Sequence, residues 1–172
     1  MENIIIRNMN KEDIPKVVDI QVNGWKTAYK DIVDDEYLNM LNKDERIKKI
    51  EKSYLKFDFI VAECQGDIVG FANYIDNNDF TSEIQVADCE LSAIYVKPDL
   101  KYNGIGTKLF KYVQKELMSK NKSKMVLWCL KDNEPSKKFY EKMGGEIIGE
   151  RLIKIGKCDH IEVCFFYDIR QA

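Results

Sequence analysis

The sequence is poor in the residues that build metal and disulfide sites. It has one histidine, His160, among 172 residues, and its five cysteines are odd in number, with no two in a CxxC pair. A zinc site of His and Cys would need ligands scattered along the chain, so we expect no metal. Four of the cysteines lie among apolar or strand-like residues, as small core side chains do, which indicates a reducing cytoplasm. We expect no catalytic duty for His160, which falls in a strand.

An excess of charge of one sign is also absent. Lys and Arg total 27 against 29 Asp and Glu, which gives a net charge of -2 at pH 7. No large cationic field is available to a phosphate backbone, so nucleic acid is not an expected partner. The isoleucines at 4–6 are soon followed by charged residues, far short of the ~20 apolar residues of a membrane span. We therefore expect a cytoplasmic protein that does not use a membrane.

What the chain does contain is the residue usage of a globular protein. Apolar residues make up 45% of the sequence and aromatic residues 11%. A chain of this length can bury roughly 70% of its unfolded surface around a single core. Since no repeat, low-complexity tract or linker is present, residues 1–172 are expected to form one domain.

Apolar periodicity predicts one strand, helices, three strands, a helix, a strand, a helix and two strands. This order fits an α/β domain with helices on a mixed sheet, and fits neither a regular βαβ series nor a helical bundle. The strands are predicted at 3–7, 57–64, 68–75, 84–96, 125–130, 146–155 and 160–169. Helices are predicted from 10 to 25, as one or two short helices in 34–54, after 106, and from 133 to 143.

A glycine pair at the mouth of an amphipathic helix is the first feature with chemical content. Gly104 and Gly106 follow a strand and a turn, and the free amides of a helix N-terminus bind phosphate oxygens. A tight turn that packs the helix on the strand explains the pair equally well. Leu109 stands where the dinucleotide fingerprint needs its third glycine, and the chain has no GK[ST] of a P-loop. Dinucleotide oxidoreductases and P-loop enzymes are therefore disfavoured.

Two blocks of sequence carry a resemblance to a known family. The first runs from Leu91 through Pro98 to the loop KYNGIG at 101–106, and the second is NEPSKKFYEKMGG at 133–145. In this order they resemble the GNAT acetyltransferase superfamily, whose loop reads [QR]-x-x-G-x-[GA] and whose second block is an Asn before a helix ending in FYEK-x-G. Lys101 departs from the usual Gln or Arg, which keeps the charge and loses bidentate geometry. The resemblance implies a mixed, mostly antiparallel sheet of about seven strands flanked by helices.

The resemblance also implies where acetyl-CoA binds. It places this cosubstrate between the strand that ends at Val96 and the strand 125–130, with backbone groups of Ile94 and Val96 pairing with the pantetheine arm. Lys101 would contact a phosphate as a point charge. The amides implied to hold the pyrophosphate are those of Asn103, Gly104, Gly106 and Thr107. The side chains implied to reach the pantetheine amides are those of Asn133 and Ser136.

Acetyl transfer to an amine requires removal of a proton. An amine with a lysine-like pKa is neutral in about one molecule in 2,500 at pH 7, which withholds ~4.6 kcal/mol from attack on a thioester. Glu90 heads the strand that carries the acetyl group and, unless a bulge intervenes, shares a face with Ser92 and Ile94, so it is a candidate base or water relay. A solvated edge carboxylate is the alternative. The N–H of Ile94 is the candidate oxyanion donor.

Tyr140 lies in the FYEK block, and the resemblance points its hydroxyl at the sulfur of the cosubstrate. A phenol is neutral at pH 7, so Tyr140 is the candidate acid that protonates the leaving thiolate. Because Tyr140 also falls on an apolar helix stripe, a core aromatic is the alternative.

The acceptor pocket has fewer signals. Trp25 and Tyr29 sit one helical turn apart in WKTAY, a segment similar to the polyamine acetyltransferase branch of the superfamily, and aromatic faces favour cations. Core packing is the alternative for both. Charge runs are often only solvated, but several acidic residues would also suit a cationic acceptor. They are Asp34, Asp35, Glu36, Glu83 and Asp88.

Together these residues predict an acetyl-CoA-dependent N-acetyltransferase that transfers directly to a primary amine of a small molecule, with a polyamine as one acceptor. A protein or peptide N-terminus is the alternative acceptor. A non-catalytic acyl-CoA-binding sensor, or an interaction module on the same fold, is the alternative from another class. Exposed strands near the C-terminus would allow a homodimer.

Overall fold

The computed structural model describes residues 4–77, 87–101 and 103–171, which fold around one seven-stranded sheet. The strands are β1 (Ile4–Asn8), β2 (Asp58–Cys64), β3 (Asp67–Ile75), β4 (Cys89–Val96), β5 (Lys124–Leu130), β6 (Glu146–Ile155) and β7 (Cys158–Asp168). Their order across the sheet is β1-β2-β3-β4-β5-β7-β6. Every neighbouring pair is antiparallel except β4 and β5. The predicted mixed, mostly antiparallel sheet flanked by helices is confirmed.

The α-helices of the described residues are α1 (Ile14–Ala28), α2 (Asp35–Asn39), α3 (Lys43–Ser53), α4 (Ile105–Ser119) and α5 (Glu134–Lys142). The segment predicted as one or two short helices contains two, α2 and α3. Of the predicted strand 84–96, residues 84–86 lie outside the described residues and β4 begins at Cys89. In the part of the chain that the structure describes, no helix is long and apolar enough to cross a membrane.

α1 and α4 lie on opposite faces of the sheet, and each covers its own core. Buried residues of α1 such as Val17 pack with Phe71 of β3. The next residue of β3, Ala72, belongs to the other core, with Leu109 and Phe110 of α4. Residues of α5 pack on this second core as well. We call the two sides of the sheet the α1 face and the α4 face.

A bulge in β4 decides which of its side chains face which core. The register of β4 against β3 skips Ser92, which is an extra residue without a partner in β3. Leu91 and Ile94, three positions apart, therefore both pack against the α4 core, while Ala93 turns to the α1 core. Ser92 Oγ donates to Glu90 Oε1 at 3.0 Å, so these two side chains stay together. Because this bulge intervenes, Glu90 does not share a face with Ile94.

β4 and β5 separate soon after they meet. Over the described residues of both strands, they pair at two positions, Cys89 with Met125 and Glu90 with Val126. Beyond these pairs the two parallel strands diverge, and a gap opens in the middle of the sheet.

The backbone of β4 presents free polar groups to this gap. The N–H of Lys97 donates to Val69 O at 2.9 Å, on one flank of the pair formed by Val96 and Gly70. In an antiparallel ladder, hydrogen-bonded and non-hydrogen-bonded pairs alternate. Val96, and by alternation Ile94, therefore occupy non-hydrogen-bonded pairs with β3. Their N–H and C=O groups point away from β3, toward the gap.

Candidate active site

A cavity of about 230 Å³ occupies the gap between β4 and β5. Its walls come from α1 on one face of the sheet, from α5 on the other, and from β4, β5 and β7 between them. A molecule bound here can therefore be reached from both faces. The predicted site residues that line the cavity are Trp25, Tyr29, Ile94, Val96, Lys101, Asn133, Ser136 and Tyr140. The predicted site residues outside its lining are Glu90, Asn103, Gly104, Gly106 and Thr107.

The N-terminus of α4 lies just beyond Lys101. Gly104, with φ of 77°, is the N-cap residue in the left-handed region, and none of the described side chains caps the helix. The first hydrogen bond within the helix runs from the N–H of Lys108 to Gly104 O at 3.0 Å. The N–H groups before Lys108 therefore have no acceptor within the helix. Asn103 Nδ2 donates to Leu100 O at 3.3 Å, which commits that side chain to the loop. Backbone amides at a helix N-terminus are suited to an anion.

Asn133 joins β5 to α5 and lines the cavity. It is 3% exposed, and its Oδ1 accepts a hydrogen bond from the N–H of Ser136 at 3.3 Å, which caps α5. With Oδ1 used in this way, its Nδ2 is the group that can donate to a ligand. Ser136, one turn into α5, also lines the cavity.

Tyr140 lines the cavity, and its ring also packs inward. The ring centroid lies 5.6 Å from that of Phe165. Among the described residues, none hydrogen-bonds the Tyr140 hydroxyl. Burial, and then the neighbouring Cys129 and Tyr95, raise the pKa of Tyr140 well above its ordinary value, so the phenol stays protonated and is a proton donor. Tyr140 therefore both packs in the core and lines the cavity.

Glu90 is half-buried behind the cavity. Burial raises the pKa of its carboxyl, and the charge of Glu162 adds to this, while the hydrogen bond from Ser92 and the charge of Arg151 oppose it. Ser92 lines the cavity and Glu90 does not. Glu90 is therefore neither the solvated edge carboxylate nor a group in direct contact with the cavity.

Trp25 and Tyr29 form the α1 side of the cavity and also pack within a core. Their rings meet edge to face with centroids 4.9 Å apart, and the Arg46 guanidinium lies 5.0 Å from the Trp25 ring. Tyr95 of β4 lies beside both side chains. Gly24 permits this approach, because a Cβ there would lie 2.7 Å from the Tyr95 ring. The aromatic pair therefore packs close to β4.

Glu162 of β7 is a cavity residue that sequence reasoning missed. Arg151 contacts its Oε2 through Nε at 2.8 Å and Nη2 at 2.8 Å. Among the described residues, none forms a hydrogen bond or ion pair with Oε1. The Arg151 guanidinium also lies 3.9 Å from the Trp128 ring centroid, and Trp128 lines the cavity too. A lone carboxylate inside the apolar run of β7 was a signal, but only the pairing of β5 with β7 brings it to the gap.

The acidic residues suggested for a cationic acceptor lie elsewhere. Asp34, Asp35 and Glu36 are at the start of α2 and do not line the cavity. The carboxylate of Asp88 accepts hydrogen bonds from the amides of Ser123 and Lys124, which fixes the start of β5. Residue 83 lies outside the described residues. His160 falls in β7, as predicted, and does not line the cavity.

Comparison with known proteins agrees with this geometry. The family model described as Acetyltransferase (GNAT) family matches residues 24–145. N-acetyltransferase YuaI of Bacillus subtilis is 31% identical over 152 residues, which cover 88% of this chain and 86% of that protein. A spermidine N(1)-acetyltransferase of Thermoplasma acidophilum is 24% identical over 152 residues, 84% of this chain and 89% of that protein.

Solved structures of acetyltransferases share this fold. The structure of yncA from Salmonella typhimurium with its cofactor acetyl-CoA matches with a TM-score of 0.71 and 21% identity, over 97% of this chain and 94% of that chain. The resemblance read from the glycine loop and the FYEK block is thereby confirmed. The chain belongs to the acetyltransferase (GNAT) family and is an N-acetyltransferase.

Proposed function

We propose that this enzyme transfers an acetyl group from acetyl-CoA directly to the primary amine of a small molecule, with a polyamine as the favoured acceptor. The observation that carries the proposal is the cavity lined from both faces of the sheet. A thioester and an amine can meet there from opposite sides, so no covalent enzyme intermediate is needed. Family membership and the similar structure that holds acetyl-CoA support the donor.

Acetyl-CoA would be held on the α4 face mainly by backbone groups. The N–H and C=O groups of Ile94 and Val96 point into the gap, where an extended pantetheine arm can pair with them as an added strand. The amides at the start of α4 suit the pyrophosphate, and Lys101 supplies a charge beside them. Asn133 and Ser136 face the same cavity from α5 and suit the pantetheine amides.

The chemistry needs one acid, one base and one oxyanion donor. The Ile94 N–H would stabilise the oxyanion as the amine adds to the thioester carbonyl. Tyr140, kept protonated by burial, would give its proton to the leaving thiolate. Glu90 would take the proton that the ammonium must lose before attack, and its raised pKa makes it a stronger base than an ordinary carboxylate.

A cationic acceptor fits the α1 face. Trp25 and Tyr29 offer aromatic walls, and the free Oε1 of Glu162 offers an acceptor for an ammonium. The similarity to a protein named as a spermidine acetyltransferase supports this class. A protein or peptide N-terminus stays the alternative acceptor, and an acyl-CoA sensor is the alternative without turnover.

The deciding experiment measures thiol release from acetyl-CoA with a panel of monoamines, diamines, polyamines, amino acids and peptides. We expect the highest kcat/KM with a diamine or polyamine. A peptide that outperforms every small amine would favour the alternative acceptor. Acetyl-CoA binding without thiol release for any acceptor would favour the sensor.

We also propose a homodimer formed through the C-terminal strands and a cytoplasmic location. Leu152 of β6 and Ile161 of β7 are paired neighbours, 69% and 40% exposed, which is apolar surface suited to a second copy. Buried thiols at Cys89, Cys129 and Cys164 form no disulfide, as expected in a reducing compartment. Sedimentation at several protein concentrations tests the dimer, and a monomer throughout would refute it.

A further inference from the structure

Ser92 joins the half-buried carboxylate of Glu90 to the cavity. It is the extra residue of the β4 bulge, so the register with β3 gives it no partner there. Its hydroxyl donates to Glu90 Oε1 at 3.0 Å. Ser92 lines the cavity, and Glu90 lies behind it.

A hydroxyl in this position can move a proton without changing its own charge. It donates one hydrogen to Glu90 and keeps lone pairs that can accept another from a molecule in the cavity. Residues two apart in a strand share a face, so Glu90 and Ser92 would be neighbours in a regular strand as well. The bulge places Ile94 on the opposite face from Glu90, and the hydrogen bond keeps Ser92 beside Glu90.

We propose that Ser92 is a catalytic residue that relays the proton of the acceptor ammonium to Glu90. The inference rests on the proposed function and deepens it, since it names the path that makes the amine nucleophilic. The ammonium N–H proton passes to Ser92 Oγ as the Ser92 hydroxyl proton passes to Glu90, which becomes a neutral carboxyl and later returns the proton to solvent.

The acetyl transfer that follows needs no further protein groups. The neutral amine adds to the thioester carbon, and the C–S bond breaks as the amide forms. The nitrogen loses its second proton to solvent, the thiolate takes the proton of Tyr140, and Tyr140 regains a proton from solvent. One ammonium and one acetyl thioester therefore give one amide, one thiol and one proton released to solvent.

The charged groups around Glu90 are compatible with this path. Arg151 of β6 favours the carboxylate, and Glu162 of β7 opposes it. Arg151 is itself paired with Glu162, so the two charges largely cancel near Glu90. The rival is Glu162, which lines the cavity and could accept the proton directly.

A matched pair of variants at position 92 isolates the hydroxyl. Ser92→Thr keeps the hydroxyl. Ser92→Val introduces a side chain of the same shape as Thr but without the hydroxyl. Ser119→Ala serves as control, because this serine is exposed at the end of α4 and away from the cavity. Melting curves establish that each variant is folded before kcat/KM is measured from pH 6 to 10 with one primary diamine.

We expect Ser92→Val to lose on the order of 10²-fold to 10⁴-fold in kcat/KM at pH 7, while Ser92→Thr stays within about tenfold of wild type. Because free amine rises about tenfold per pH unit below the pKa of the acceptor, the deficit of Ser92→Val should shrink toward pH 10. Glu90→Gln should reproduce this converging profile. Ser119→Ala should follow wild type.

Three outcomes would overturn the relay. A loss for Ser92→Val that is the same at every pH would assign Ser92 a structural role. Equal activity of the Thr and Val variants would show that the hydroxyl is not used. A converging profile for Glu162→Gln, and not for Ser92→Val, would transfer the base to Glu162. Wild-type enzyme that acetylates no amine would instead refute the proposed function, and the relay with it.

Discussion

At the scale of single residues, Tyr140 shows how one side chain can serve both a core and a site. Its ring packs on Phe165 and its hydroxyl has no hydrogen-bond partner among the described residues. Tyr140→Phe keeps the ring and removes only the oxygen. We expect kcat to fall on the order of 10²-fold to 10⁴-fold, because a positioned proton donor is lost, with acetyl-CoA affinity and melting temperature near wild type.

Steady-state kinetics and a melting curve check this prediction. Because the pKa of Tyr140 lies well above that of an ordinary phenol, any alkaline limb that it causes should lie above pH 10 and vanish in the variant. A near-normal kcat with a lowered melting temperature would make Tyr140 a packing residue only, and water would protonate the thiolate.

Gly106 is the better of the two loop glycines for testing the cosubstrate site. Gly104 has φ of 77°, so any side chain there is strained, whereas a Cβ on Gly106 would lie 3.5 Å from Phe139 in ordinary contact. A valine at 106 would extend beside Val96, where the pantetheine arm is proposed to run. We expect Gly106→Val to weaken CoA binding at least tenfold, ~1.4 kcal/mol.

Calorimetric titration of CoA into the folded variant measures this change. Ser136→Ala offers a comparison in which one side-chain contact is removed without added bulk. Unchanged affinity in Gly106→Val would remove the glycine loop from the binding site.

At the scale of elements, an ion-pair cluster joins β1, β2 and the start of α1. Asp13 is 9% exposed and accepts hydrogen bonds from Arg7 Nη1 at 2.7 Å and Nη2 at 3.0 Å. Arg7 Nε also donates to Glu63 at 2.8 Å. The bonds from Arg7 hold the pKa of Asp13 below its ordinary value, against the opposing effect of burial.

A carboxyl whose pKa is lowered in the folded state stabilises the protein above its unfolded pKa, and this stabilisation is lost as the pH falls through the folded value. We therefore expect Asp13→Asn to lower the free energy of unfolding by about 1 to 3 kcal/mol at pH 7 and by less below pH 3. Urea unfolding at several pH values measures it. An equal loss at all pH values would show that the ion pair is not the cause.

Most elements could be predicted from the sequence because their signals are local. The apolar periodicity predicted β5 at 125–130, and the helix predicted from 133 begins with Asn133 as the cap of α5. The bulge at Ser92 could not be predicted, since it is defined by the register with β3, which is a pairing between distant parts of the chain. Glu162 was missed for the same reason, because its place in the site depends on β7 lying beside β5.

At the scale of the whole molecule, the α1 face gathers the groups that would select an acceptor. If aromatic and acidic groups there select cations, diamines or polyamines should outcompete neutral and anionic amines. Raising the salt concentration should raise their KM through screening, with kcat much less affected. Initial rates at several ionic strengths measure this. Preference for an uncharged or acidic acceptor, with no salt effect, would contradict it.

The short contact between β4 and β5 has a mechanical consequence. Because these strands pair at two positions, the sheet consists of two sub-sheets, β1–β4 and β5–β7, joined by a narrow seam and by the helices. A molecule bound between β4 and β5 would contact both sub-sheets and stabilise their association. We expect the ligand-free protein to unfold with a van't Hoff enthalpy below the calorimetric one, and the two enthalpies to converge when CoA is bound. The molecule that this enzyme consumes would then also determine how cooperatively it unfolds.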